Sequence, residues 1–335
     1  VEMPLSNPEV AARVDSVYNA LNMEERLAQL HGLYMHELFT DGKVDDAKCR
    51  ERIANGIGHF SQYAGQLKLH PDQVRDMVAE VQTWILQNTK HPIPALCHDE
   101  IISGMTSYGA TTYPQQIGQA CSFNTELAEI KTQQSAATMR KIGGAYALSP
   151  MVDVDRNPFF NRNEESYGED GYLSAAMGVA FVRGLQHGGL ENGVAACTKH
   201  FLGYGGGAEN TQKEIMEEIL LPHEAMIRIA GNKTVMTGYH EYHGLKCVGN
   251  PELQEEILRT YLGWDGVMVS DYGAVSQLYH LPSLVERAAA AINAGNDVEF
   301  PNNECYQFLP EAIELGLVSE ETFERAVKRV LTLKA

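Results

Sequence analysis

The stretch Trp264-Asp265-Gly266-Val267-Met268-Val269-Ser270-Asp271-Tyr272 decides the fold of this chain. Val267 to Val269 is apolar without alternation, the pattern of a strand covered on both faces in a parallel sheet. The run ends in a carboxylate and an aromatic ring, and Gly273 follows. In α/β folds, ligands and catalytic groups gather beyond the C-terminal ends of the strands. Asp271 is therefore a candidate catalytic residue. Asp in such a place also caps helix N-termini, so the rest of the chain has to separate the two readings.

Working outward, seven further runs of the same kind occur: Gln29–Tyr34, Gly58–Gln62, Ala95–His98, Ala145–Asp153, Val194–His200, Thr234–Tyr239 and Asp297–Phe300. Amphipathic stretches lie between them, among them Pro71–Gln87, Thr125–Ile142, Tyr172–Gln186 and Glu252–Leu262. Strand–helix alternation predicts a parallel sheet with crossover helices. Eight such units in 335 residues predict a closed (β/α)8 TIM-type barrel, one domain over residues 1–335. A doubly wound sheet is the alternative, but no G-x-G-x-x-G follows the first strand. At the end of the chain, Gly316 breaks the helix over Pro310–Leu315, and Ser319 caps a helix over Glu320–Lys334 whose apolar face is Phe323, Ala326, Val327, Val330 and Leu331.

Composition narrows the partners. A formal charge of -18 argues against a nucleic-acid backbone, and no apolar run reaches membrane-spanning length. The six cysteines show no zinc-like C-x-x-C spacing. Free thiols and no metal are expected. Asn232-Lys233-Thr234 is a glycosylation sequon.

The polar residues cluster after the apolar runs: His98, Asp99 and Glu100; Asp153, Asp155, Arg156 and Arg162; Lys199 and His200; Tyr239, His240 and Glu241; Asp271 and Tyr272. In a barrel these converge on one mouth. Carboxylates and cations there pair with hydroxyl groups, and aromatic rings cover apolar sugar faces. Arg162 and Lys199 are expected to favour the ionised forms of Asp271 and Glu100. An ionised Asp facing an anomeric carbon is a nucleophile. The structural alternatives are that His200 is a core histidine, that Arg156 pairs with Asp153 or Asp155, that Glu169 and Asp170 serve the next helix N-terminus, and that Met236 is core.

Taken together, these segments resemble glycoside hydrolase family 3. His98-Asp99-Glu100-Ile101-Ile102-Ser103-Gly104 is similar to the family's H-E-E-x-L-H-G, and Gly109-Ala110-Thr111-Thr112-Tyr113-Pro114-Gln115 to its G-A-T-x-F-P-Q. Leu148–Val154 and Arg162–Asp170 resemble A-P-V-x-D-V and R-x-E-E-x-Y-G-E-D. Lys199-His200-Phe201 matches K-H-F, Met236–Tyr239 resembles M-x-x-Y, and Gly266–Tyr272 resembles G-V-x-V-S-D-W. The resemblance implies roles. Asp271 stands at the nucleophile, and Glu100 at the acid gripping the distal hydroxyls of the terminal sugar. Arg162, Lys199 and His200 stand at further hydroxyl ligands, Tyr239 at the tyrosine near the nucleophile, and Met236 at a pocket-lining methionine. Tyr272 replaces the frequent Trp. The implied activity is retaining, exo-acting hydrolysis of terminal β-D-glucosyl or β-D-xylosyl residues of oligosaccharides or aryl β-glycosides, without a cofactor.

Many family members carry the acid/base Glu on a second, α/β-sandwich domain after the barrel. Single-domain members use an Asp-His pair on the loop after K-H-F. Here that loop is Leu202–Asn210, whose carboxylate is Glu209. Glu209, Glu241 and Asp99 are the local candidates, and a separate C-terminal α/β-sandwich domain is the expected source. Glu100 is one methylene longer than the Asp of many glucosidase-like relatives, which favours xylose over glucose. The alternative function is a sugar-binding barrel without turnover.

Overall fold

The computed structural model describes residues 7–206 and 210–335. Seven short parallel strands lie side by side in chain order: β1 (Gly32–Tyr34), β2 (His59–Ser61), β3 (Leu96–Asp99), β4 (Tyr146–Ala147), β5 (Ala195–Phe201), β6 (Thr234–Thr237) and β7 (Val267–Val269). The pairings put Gly32 beside His59, His59 beside Leu96, His98 beside Tyr146, Tyr146 beside Ala195, Cys197 beside Thr234, and Thr234 beside Val267. The curled sheet with its outer helices is the expected barrel-like α/β fold.

The eighth run is where sequence and structure differ. Asp297–Phe300 does not form a ladder; it joins β7 through one bridge, Val269 to Val298. The reason lies in its polar ends. The Asp297 carboxylate takes the N–H of Met268 at 2.8 Å, where a strand carbonyl would stand. Pro301 has no N–H to give, and its carbonyl accepts from the Ser61 hydroxyl at 2.6 Å. Backbone bonds run alongside these, from the Val298 N–H to the Met268 carbonyl at 3.1 Å and from the Ser270 N–H to the Val298 carbonyl at 3.0 Å, so mixed backbone and side-chain contacts close the ring between β7 and β1. The same contact explains Gly32, where a Cβ would come within 2.4 Å of the Pro301 carbonyl oxygen.

Ala145–Asp153 is likewise shorter than expected as a regular strand. Pro150 interrupts it, and pairing resumes only where Met151 bridges Lys199. The helices follow the sequence reading closely: Pro71–Asn88, Thr125–Lys141, Gly171–Leu185, Leu284–Ala294 and Glu320–Lys334 are α-helical, while Glu252–Tyr261 winds as a π-helix. Asp170 caps Gly171–Leu185 through the Leu173 N–H, so it serves the helix. Among the described residues, no helix is long and apolar enough to cross a membrane.

Aromatic and imidazole rings, rather than branched aliphatics alone, fill the barrel interior. The Phe300 ring lies 4.2 Å from that of His98 and 5.1 Å from that of His59, and Tyr146 packs edge-on to His98 at 5.7 Å. Burial holds both histidines neutral, pushing His98 down to about 3 and His59 well below the usual range.

At the opposite end from the strand C-termini, the last helix locks the barrel. Arg329 reaches Asp265 at 2.7 Å and Asp297 at 3.1 Å, and Arg259 reaches the other Asp297 oxygen at 2.9 Å. Asp297 thus joins the eighth segment, β7 and the final helix through buried charges. Replacing it with Ala leaves two buried guanidinium groups short of a partner, which costs about 3–5 kcal/mol. A fall in the urea midpoint at unchanged slope is the expected reading; an unaltered midpoint removes Asp297 as the closing element.

Candidate active site

Strand ends bring the site together from five separate parts of the chain. Glu100 follows β3, Lys199 and His200 lie within the last turns of β5, Tyr239 follows β6, and Asp271 and Tyr272 follow β7. Arg162 comes from the loop after β4, just before the short helical turn Asn163–Glu165.

Two charge pairs and one histidine–carboxyl hydrogen bond organise the cluster. The buried Lys199 ammonium donates to Glu100 Oε1 at 2.6 Å. Arg162 grips Glu165 with two bonds, Nε to Oε1 at 2.8 Å and Nη2 to Oε2 at 2.7 Å, the bidentate geometry that fixes a guanidinium plane. Burial opposes ionisation of Glu165, but the bonds and charge of Arg162 outweigh it, and its carboxyl sits below the usual value. His200 Nδ1 lies 2.8 Å from Asp153 Oδ2, and the His200 N–H also donates to that carboxylate.

These contacts determine the His200 proton. Arg162 Nη1 lies 3.2 Å from His200 Nε2. A guanidinium only donates, so Nε2 accepts and Nδ1 carries the hydrogen, which it gives to Asp153. Burial, followed by the charges of Arg162 and Lys199, holds the ring well below its usual pKa, so it stays neutral. Asp271 Oδ2 is 3.3 Å from the same Nε2, yet it receives no hydrogen from it. Oδ1 of Asp271 accepts the Tyr272 N–H at 2.7 Å. Tyr239 donates its hydroxyl to the Tyr272 carbonyl at 2.8 Å. Oδ2 makes no direct protein hydrogen bond, although the nearby Tyr239 hydroxyl favours the charged form of the carboxyl.

The electrostatics correct one expectation. Lys199 and Arg162 do favour the charged form of Asp271, but burial is the larger effect, and its pKa is raised above the ordinary carboxyl value.

The structure gathers Asp271, Glu100, Arg162, Lys199, His200, Tyr239 and Tyr272 in one cluster. Tyr272 turns its hydroxyl to His98 Nε2 at 2.8 Å. Met236 is 1 % exposed and belongs to the core cluster against which Tyr239 and Tyr272 pack. Arg156 pairs not with Asp153 or Asp155 but with Glu214 and Glu218. Asp99 is turned away from the mouth, its oxygens accepting the N–H groups of Ala64, Gly65 and Glu100. Glu241 is exposed on the hairpin Glu241–Tyr242 with Leu245–Lys246, outside the cluster. Glu209 lies outside the described residues. Among the described residues no group of three His, Cys, Asp or Glu is arranged to hold a metal ion. All six cysteines are free.

Sequence reasoning placed Asp153 at the mouth without a role there and passed over Glu165 and Tyr204. Asp153 and Glu165 fix His200 and Arg162; the Arg-x-x-Glu spacing of Arg162 and Glu165 was the available signal for the second. Tyr204, among the glycines of the loop after β5, stacks on His240 at 5.3 Å and meets His200 edge-on at 5.2 Å. An aromatic residue isolated in a Gly-rich loop was its only mark.

Comparison with known proteins gives a consistent picture. A family model described as the glycosyl hydrolase family 3 N terminal domain matches residues 22–333. A β-xylosidase of Formosa agariphila is 34% identical over 91% of the chain and 46% of its own length. A xylan 1,4-β-xylosidase of Xylanibacter ruminicola is 31% identical over 69% of the chain and 30% of its own length. Among solved structures, a β-glucosidase of Erythrobacter marinus superposes with a TM-score of 0.89 at 28% identity, covering 97% of the chain and 45% of that protein. The chain spans less than half the length of these relatives.

The bare oxygen of Asp271 has a measurable consequence for stability. Because burial raises its folded-state pKa, stability falls as pH rises through that value, and the loss is absent below the unfolded pKa of about 3.9. Asp271→Asn removes the buried charge. It is expected to stabilise the fold at pH 7 by about 0.5–2 kcal/mol, with the gain fading in acid. Thermal melts at both pH values test this; an equal gain at each would contradict it.

Proposed function

Because the chain belongs to the family of glycosyl hydrolase family 3 N-terminal domains, we propose that the protein hydrolyses terminal β-glycosidic bonds with Asp271 as nucleophile. The observation that carries this reading is the unpartnered Oδ2 of Asp271 amid hydroxyl-binding groups. A carboxylate oxygen already saturated by donors attacks poorly, whereas this one keeps its lone pairs free. In the first step Oδ2 bonds to the anomeric carbon as the bond to the leaving oxygen breaks. In the second, water attacks that carbon and Asp271 leaves, so configuration is retained. Lys199, Glu100, Arg162 and His200 hold the ring hydroxyls. His200, held neutral, adds no positive charge beside the nucleophile.

Such chemistry needs a second carboxyl about 5–5.5 Å from the nucleophile, to protonate the leaving oxygen and then activate water. Among the described residues, Asp153 is committed to His200 and Glu165 to Arg162. The acid/base therefore comes either from Glu209 or from a further α/β-sandwich domain of the whole protein. The relatives' greater length supports the second source. A sugar-binding barrel without turnover is the competing reading, favoured by the same shortage of a free carboxylate.

Intact-mass analysis after incubation with 2-fluoro-β-xyloside and 2-fluoro-β-glucoside separates them. A glycosyl adduct on Asp271 is expected, and these activated substrates tolerate a missing acid. Sugar binding without any adduct would favour the non-hydrolytic reading. In turnover assays Glu100→Asp is expected to shift kcat/KM from xyloside toward glucoside by about 1–3 kcal/mol, the worth of one methylene; an unchanged ratio removes Glu100 as the selector. The acid limb of kcat/KM reports Asp271 in the free enzyme. It is expected above the ordinary carboxyl range, and Lys199→Met should move it higher still by removing a cation that favours the charged form. A limb that stays in place would assign it to another group.

A further inference from the structure

Lys131 takes no part in the chemistry described above, yet it brings a cation into the interior. It lies in the helix Thr125–Lys141 and is 7 % exposed. Its ammonium donates to the Ile102 carbonyl, and it lies 4.7 Å from the centroid of the Phe181 ring and 6.0 Å from that of Tyr113. An ammonium has three donors, so one carbonyl leaves two of them over. Ring faces attract a cation but supply no counter-charge. No charged neighbour among the described residues offsets the loss of water, and burial alone pushes the Lys131 pKa down to about 7. Lys199 and Arg329, buried to a similar degree, hold Glu100 and the pair Asp265 and Asp297. Lys131 is a buried cation that lacks such a partner, an arrangement that costs stability.

It also lines a cavity. About 350 Å³ of space lies between the helix Thr125–Lys141 and the segment that leads into it, with Met177 of the helix Gly171–Leu185 behind. None of the residues assigned to the sugar site borders this space. Pro114, Leu127, Ile130 and Met177 make its walls apolar, and the Gln119 and Gln134 side chains add neutral amides. Although the chain has 44 acidic side chains against 26 basic ones, no Asp or Glu lines the cavity. An anion entering it meets one cation and no carboxylate. Cavities that hold small molecules run from about 300 to 1,000 Å³. This one is at the small end, with room for one ring and a short chain.

We propose that this cavity binds a small apolar monocarboxylate, with the ligand carboxylate on the Lys131 ammonium and its hydrocarbon against Leu127, Ile130 and Met177. The carboxylate supplies the counter-charge that the fold withholds. It also takes the two free N–H groups, and hydrogen bonds between ionised partners are the strong ones. A dianion has no second cation to meet, and a sugar finds apolar walls where it needs donors and acceptors. This inference does not depend on the role given to Asp271.

The test is calorimetric titration of the full chain with 3-phenylpropanoate, and with 3-phenylpropanamide as its uncharged counterpart. One-to-one binding of the acid with a Kd of about 1 mM or tighter is expected, and the amide should bind at least about tenfold more weakly. Lys131→Met should abolish binding of the acid, but it also removes the bond to Ile102. Gln134→Glu avoids that difficulty. The new side chain still accepts the Tyr113 hydroxyl, which Gln134 takes at 2.7 Å, and it leaves Lys131 in place while adding an anion to the cavity wall. It is expected to weaken binding of the acid about tenfold or more at an unchanged melting temperature. Asp271→Asn should bind the acid as the parent does. No binding of the acid up to about 10 mM, equal affinity for acid and amide, or indifference to Gln134→Glu would each overturn the site. Displacement of the acid by xylose would place it in the sugar site and overturn the assignment equally.

Discussion

One hydrogen on one imidazole sets the chemistry of this site. Arg162 can only donate, so His200 Nε2 must accept and the ring hydrogen must face Asp153. Asp271 Oδ2, close to the same nitrogen, is thereby denied the donor it would otherwise use. A buried carboxylate oxygen with no partner is costly in a folded protein. The surrounding packing holds it there because Arg162 is locked in turn by two bonds to Glu165. The chain Glu165–Arg162–His200–Asp153 is thus a positioning device whose product is an unsatisfied group.

The rest of the molecule supports that arrangement through a division between its two ends. At the end remote from the site, Asp297 takes two guanidinium groups and a backbone N–H. That network joins the final helix to β7 and the eighth segment. Stability is concentrated there, while the strand C-termini carry strained electrostatics. In the middle, neutral His59 and His98 packed on Phe300 separate the two regions with uncharged rings.

Much of this was legible from residue order. The strand–helix alternation located seven of the eight strand positions, and helix limits fell within a residue or two because Ser319, Gly316 and Pro71 punctuate them. The eighth run, Asp297–Phe300, has the hydropathy of a strand but not its pairing. The reason is that the Asp297 side chain competes for the Met268 N–H beside the few backbone bonds to β7, and Pro301 ends the run, features invisible to hydropathy. Asp99 was misplaced for a related reason. Motif order shows which residues stand near a strand end, while one step along a strand decides between the mouth and the core.

By itself the sequence determined the fold class, the strand ends on which chemistry collects, and most of the cluster around Asp271, because these follow from local periodicity and from residue types fixed along the chain. Tertiary structure alone decided the His200 tautomer, the raised pKa of Asp271, and the roles of Asp153, Glu165 and Tyr204. Each depends on distances between groups far apart in the chain, and on how much water is excluded from them. Burial and hydrogen-bond direction are properties of the assembled volume, and no single segment carries them.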